Sequence, residues 1–142
     1  MTTEHIELWH QRARPTPDDA AFRVQLGCHI EEICELFDAV DFDTADGTLC
    51  KAALHVLATG LKKGTIQATI TDRKELLDSL ADQVVTAIGV GHCAGMKTSQ
   101  AIAEVDRSNW SKFDSDGQPI FDVNGKVKKG PHYFKPDLSA FV

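Results

Sequence analysis

The 142-residue sequence has no C-x-x-C pair among its four cysteines (28, 34, 50 and 93), each of which lies within a helix-like pattern. This argues against a zinc site or a disulfide framework, and buried thiols of a reducing compartment are the expectation. No apolar run is as long as a membrane span. The opening Met-Thr-Thr-Glu-His has neither the basic nor the apolar region of an export signal, so a cytoplasmic protein is expected. Basic residues are scarce relative to acids, 15 against 21, and the net charge of −6 argues against a general nucleic-acid surface. An anionic substrate would need a local cation, either a metal or a few placed basic side chains. There is no internal repeat and no low-complexity segment. The length suits a single domain with a real core, spanning 1–142.

What is present centres on Glu75-Leu-Leu-Asp78-Ser-Leu-Ala-Asp82, which opens an apolar run reaching to about Met96. The run is apolar nearly all round, the pattern of a helix buried in a bundle. Glu75, Asp78 and Asp82 stand at i, i+3 and i+7, and at about 100° per residue they fall within roughly 60° of one another. Three acids on one stripe of a buried helix repel unless something positive sits among them, and a divalent cation meets that need. Asp72-x-x-Glu75 also has capping-box spacing, so Glu75 has a structural alternative that Asp78 and Asp82 lack.

In chain order, residues 1–17 form a short helical arm (3–13) stopped by Arg14-Pro-Thr-Pro17, with Trp9 and His10 either packing it down or bordering a ligand pocket. Asp18-Asp19 opens a second helix to about Val40, with Leu26, Ile30, Ile33, Cys34 and Phe37 as its core face. Glu31, Glu32 and Glu35 lie off that stripe. Alone, Glu-Glu-x-x-Glu reads as a solvated face, but the second acidic cluster changes its meaning. A third helix, Thr48 to about Gly60, presents Leu49, Ala52, Ala53, Val56 and Leu57 inward. Lys62-Lys63-Gly64 terminates it and could also attract phosphate. A further helix runs from Thr98 or Ser99 to Trp110, with Asn109 and Lys112 projecting together. The tail (113–142) holds a turn at Asp116-Gly117, a small hairpin around Asn124-Gly125, and an irregular basic, aromatic extension.

These elements predict an all-α fold: a four-helix-bundle core (18–112) with a short N-terminal helical arm and an irregular, hairpin-bearing C-terminal tail. Carboxylates converging from two helices form an all-oxygen site suited to Mg²⁺ or Mn²⁺. No Glu-x-x-His pair is present for a di-iron centre. Phosphoryl hydrolysis fits such a site.

Glu31-Glu32-x-x-Glu35, followed by an acidic element in a later helix, resembles the all-α NTP pyrophosphohydrolases of the MazG-like group. Leu77-Asp-Ser-Leu-Ala-Asp-Gln83, Ile88-Gly-Val-Gly91, Glu104-Val-Asp-Arg-Ser-Asn-Trp-Ser-Lys112 and the tail's Lys129-Gly-Pro-His-Tyr-Phe-Lys-Pro-Asp-Leu138 resemble the phosphoribosyl-ATP pyrophosphohydrolase-like branch of phages and bacteria. The resemblance covers roughly residues 18–138. It implies Mg²⁺-dependent cleavage of a nucleoside triphosphate between the α and β phosphates, giving monophosphate and pyrophosphate. It places Glu32, Glu35, Asp78 and Asp82 on the metal, with Glu75 as the alternative to Asp78, because Ser79 stands where many relatives carry an acid. Glu31 or Glu35 would orient the attacking water. Asn109 and Lys112 match an Asn-x-x-Lys element expected on substrate phosphate or sugar, with Arg107 assisting, and Gln25 and His29 would line the base pocket. Relatives form dimers or tetramers, so a homodimer or homotetramer is expected, and the charge and run lengths above leave no nucleic-acid polymer or membrane as an expected partner. Two other functions fit the same residues: phosphoribosyl-ATP hydrolysis, and a non-catalytic helical module binding nucleotide or protein.

Overall fold

Residues 2–142 are described by a computed structural model, and among them are five α-helices and no strand longer than an isolated bridge. They are α1 (Thr2–Ala13), α2 (Asp19–Leu36), α3 (Asp46–Lys63), α4 (Arg73–Cys93) and α5 (Thr98–Trp110). The expected all-α class holds. The helices group into two compact units. One comprises Thr16–Thr69 with Phe121–Lys126, and the other Ile70–Ile120 and Val127–Val142 with the N-terminal residues through Pro15.

In the first unit α2 and α3 pack antiparallel. Asp18 caps α2 by accepting the Ala21 N–H at 2.7 Å. Gly64, at φ 80°, ends α3 in the left-handed conformation that glycine adopts without strain. The Arg23 guanidinium donates to the Leu61 carbonyl, satisfying an end of α3 that its own ladder leaves open. The buried residues are Ala21, Val24, Gly27 and Cys34 on α2 and Ala58, Gly60 and Leu61 on α3. A Cβ on Gly27 would come within 2.9 Å of the Ala58 carbonyl oxygen, so the close approach requires glycine there.

This contact differs from the expected one. Of the expected core face of α2 Cys34 is buried but Ile33 is exposed, and on α3 Leu49, Ala52, Ala53, Val56 and Leu57 are all exposed. Periodicity selects one aliphatic stripe, whereas the close approach at Gly27 buries another, which includes Val24 and Leu61. The bulky stripes are left uncovered within the chain.

In the second unit α1 lies parallel to α5. The Trp9 indole N–H donates to the Asn109 carbonyl at 2.8 Å, and its ring stacks on Phe113 at 5.6 Å. Trp9, Ala13 and Phe113 form a small buried core, with Trp110 and Val127 packed against it. His5 pairs with the buried Asp106, and its ring lies 4.8 Å from that of Trp110. The arm is therefore an integral part of this unit.

The tail, expected as an irregular extension, runs antiparallel along α5. Phe134 receives the Ser108 hydroxyl on its carbonyl at 2.7 Å, and its N–H donates to the Ser111 hydroxyl at 3.1 Å. Further along, the Asp137 N–H donates to Glu104 at 3.1 Å and the Lys97 N–H to the Phe141 carbonyl at 2.8 Å. The hairpin turn expected at Asn124-Gly125 forms, with Asp122 accepting the Asn124 and Lys126 N–H groups at 2.8 and 2.9 Å.

Helix α4 departs most from expectation. Its N-cap is as read, Asp72 accepting from the Lys74 and Glu75 N–H groups at 2.9 and 3.0 Å. Yet none of its residues is buried; Leu77, Leu80, Val84, Val85, Ile88 and Val90 all face solvent. A helix apolar all round needs cover that this unit does not supply. The thiols likewise differ: all four are free, but only Cys34 is buried, while Cys50 and Cys93 are exposed.

Candidate active site

The first acidic set lies on α2. Glu31 turns toward α3 and is held by two ammonium groups, Lys62 Nζ on Oε1 and Lys126 Nζ on Oε2, the latter at 2.8 Å. Partial burial pushes its carboxyl up, but hydrogen bonds from Lys126 and Lys62 outweigh that and hold it below the ordinary glutamate value. Glu32 and Glu35 are exposed on neighbouring faces. Gln25 and His29 lie one turn apart on the side of α2 that carries Glu32; Gln25 is exposed and His29 half-buried. Cys28 is half-buried, and burial raises its thiol despite the nearby Lys126.

The second set lies on α4, where Glu75, Asp78 and Asp82 are all exposed along one stripe. The carboxylates of Glu35, Asp78 and Asp82 make no ion pair and no side-chain hydrogen bond among the described residues, in contrast with Glu31. The donor set is hard and anionic, as Mg²⁺ requires. Among the described residues, no three His, Cys, Asp or Glu side chains are clustered as a ready metal site. The two acidic sets lie on different units.

At the end of α5, sequence reasoning placed three substrate-binding candidates. The structure engages each in packing. The Arg107 guanidinium bonds both Glu104 oxygens at 2.8 and 2.9 Å and lies 4.3 Å from the Phe134 ring centroid, facing the tail. Asn109 lends its backbone carbonyl to Trp9, which leaves its amide side chain available for other partners. Lys112 Nζ is 5.9 Å from the Trp9 ring centroid. Ser108, only 2% exposed, and Ser111 were not singled out from the sequence, and they anchor the tail. Their small hydroxyls carry no periodicity signal.

This fold has a solved counterpart. The chain is similar to the crystal structure of a protein named "putative NTP pyrophosphohydrolase" from Exiguobacterium sp. 255-15. The TM-score is 0.60 at 19% identity, covering 95% of this chain and 88% of that one. No protein-family model matches the chain, and no curated protein matches it. Among the described residues, no helix is long and apolar enough to cross a membrane.

The Glu104 cluster makes a pH prediction. Hydrogen bonds from Arg107, then from the Asp137 N–H, hold its carboxyl below the ordinary glutamate value. With the folded value depressed, the tail anchor is complete above the ordinary glutamate value and is lost as pH falls through the folded one. A carbon-13 titration should give a Glu104 carboxyl midpoint below the ordinary glutamate value, moving up in Arg107→Gln. A wild-type midpoint at or above the ordinary value would show that the anchor does not form.

Proposed function

We propose that this protein is a nucleoside triphosphate pyrophosphohydrolase, cleaving the α–β phosphoanhydride with water to release monophosphate and pyrophosphate. What supports the reading is a set of unpaired, exposed carboxylates, Glu35, Asp78 and Asp82, on a chain that shares its fold with a protein of that printed name. Glu32 and Glu35 of α2 and Asp78 and Asp82 of α4 are the residues that would hold Mg²⁺ or Mn²⁺. That ion would supply charge neutralisation for the phosphates and acidity for the attacking water. Glu35 takes the water's proton, since Glu31 is already committed to two lysines. Asn109 and Lys112 contact phosphate or sugar; Gln25 and His29 border the base. Arg107 serves the tail. The direct test incubates the protein with Mg²⁺ and a panel of nucleoside triphosphates, phosphoribosyl-ATP included, and resolves the products by chromatography. Monophosphate plus pyrophosphate supports the reading, while diphosphate plus phosphate, or no turnover by folded protein, overturns it.

The same reading includes a homo-oligomer. The exposed aliphatic face of α4, continuous over Leu77, Leu80, Val84, Val85 and Ile88, would pair with its equivalent in a second copy. Wild-type protein is expected to sediment as a dimer or tetramer. Val85→Glu, placing a charge in that seam, should shift it to monomer; a monomeric wild type would remove the idea.

A further inference from the structure

Lys62, Lys126 and Glu31 form an unequal cluster: two ammonium groups share one carboxylate. Lys62 is mostly buried, with its side chain 19% exposed, and Glu31 and Lys126 are 29% and 44% exposed. A latch between the tail hairpin and α2 would need only one lysine. A second partly desolvated ammonium adds like-charge repulsion and desolvation cost that a single pair avoids. The fold nevertheless provides room for both. Gly27 is bare where the Lys62 stem crosses α2, and a Cβ there would come within 2.8 Å of Lys62 Cγ. Lys126 is delivered by the turn that Asp122 closes. Each ammonium has three N–H donors and spends one on Glu31, so two on each are open. The cluster carries one net positive charge in a chain of net charge −6. Glu32, a proposed metal ligand, is close enough to favour the charged form of Lys126.

We propose that Lys62 and Lys126, held side by side on the two oxygens of Glu31, are the seat of the substrate's β,γ-diphosphate, which leaves as pyrophosphate. This rests on the pyrophosphohydrolase reading and deepens it. In the reaction the water oxygen bonds to the α phosphorus, and the bond from that phosphorus to the bridging oxygen breaks. The electron pair stays on the bridging oxygen, so negative charge grows on the departing pyrophosphate, and the four open N–H donors are placed to meet it. Glu31 is then a positioning residue: it keeps two cations together that would otherwise repel.

The test compares wild type with Lys126→Gln, Lys126→Arg and Lys62→Gln. KM and kcat are read on the preferred triphosphate, binding on magnesium pyrophosphate by calorimetry, and thermal unfolding in parallel. Lys126→Gln should weaken pyrophosphate binding and raise KM by about tenfold or more, with Lys126→Arg recovering most of the loss. Lys62→Gln should act in the same direction; Lys126, being more exposed, is the variant that keeps the test sound if Lys62→Gln misfolds. A Lys126→Gln protein that melts earlier but keeps KM and pyrophosphate affinity within twofold of wild type would reduce the cluster to a structural latch. Failure of the parent reading is distinct. A wild type without turnover that binds pyrophosphate through these lysines keeps the seat, whereas turnover by a wild type lacking pyrophosphate affinity overturns the seat alone.

Discussion

Asp82→Asn is expected to abolish triphosphate hydrolysis while leaving the helix intact. The side chain is exposed on α4 and makes no hydrogen bond that folding needs, so the amide changes charge without disturbing packing. Metal-held charge stabilisation is worth several kcal/mol, and at about 1.4 kcal/mol per decade its loss lowers kcat/KM by roughly a thousandfold. A second readout is independent of turnover. If Mg²⁺ binds only the folded protein, a concentration a hundred times its dissociation constant stabilises by about 2.7 kcal/mol, and Asp82→Asn should erase that increment. Asp78→Asn should behave alike, since it stands one turn away on the same stripe. Glu75→Gln should lie within about threefold of wild type, because an acid in the first helical turn has a role with the dipole and cap. Full activity in Asp82→Asn would remove α4 from the catalytic site.

Trp9→Ala is expected to give the largest loss of stability. Trp9 is 8% exposed, stacks on Phe113 and donates to the Asn109 carbonyl, so one side chain joins α1 to the end of α5. Removing a buried indole typically costs about 3–5 kcal/mol. For a chain of this size that lowers the melting temperature by roughly 10–15 °C. Trp9→Phe keeps the stack and loses only the hydrogen bond, about 1 kcal/mol. Because Lys112 also sits over the Trp9 ring, the alanine variant should raise KM for the triphosphate in addition to destabilising. A Trp9→Ala protein melting within a few degrees of wild type would show that α1 is not part of the folded unit.

The helices were legible in the sequence because their signals are local. The Asp18 and Asp72 caps, the Gly64 stop and the Thr98–Trp110 boundaries depend on neighbouring residues alone, and the structure places them as read. The acidic spacings were equally local: i, i+3 and i+7 puts carboxylates on one stripe whatever the helix packs against. The facing of each helix was not local. Leu49 and Val56 look like core residues, yet Ala58, Gly60 and Leu61 are the ones buried, because the close approach at Gly27 turns that side of α3 toward α2. Helix α4 carries that further, with none of its apolar residues buried.

By itself, then, the sequence determined the all-α class, the Asp72 cap, the Gly64 stop, the hairpin turn and the acid stripes, since each follows from the backbone geometry of a few adjacent residues. Only the tertiary structure decided which acid is which. Glu31, Glu32 and Glu35 are equivalent by type, but Lys62 from the next helix and Lys126, 95 residues along the chain, both form ion pairs with Glu31. It likewise decided that Arg107 serves the tail and that Trp9 belongs to α5. Such pairings follow from which distant side chains come within hydrogen-bond reach, and residue type and spacing do not encode that.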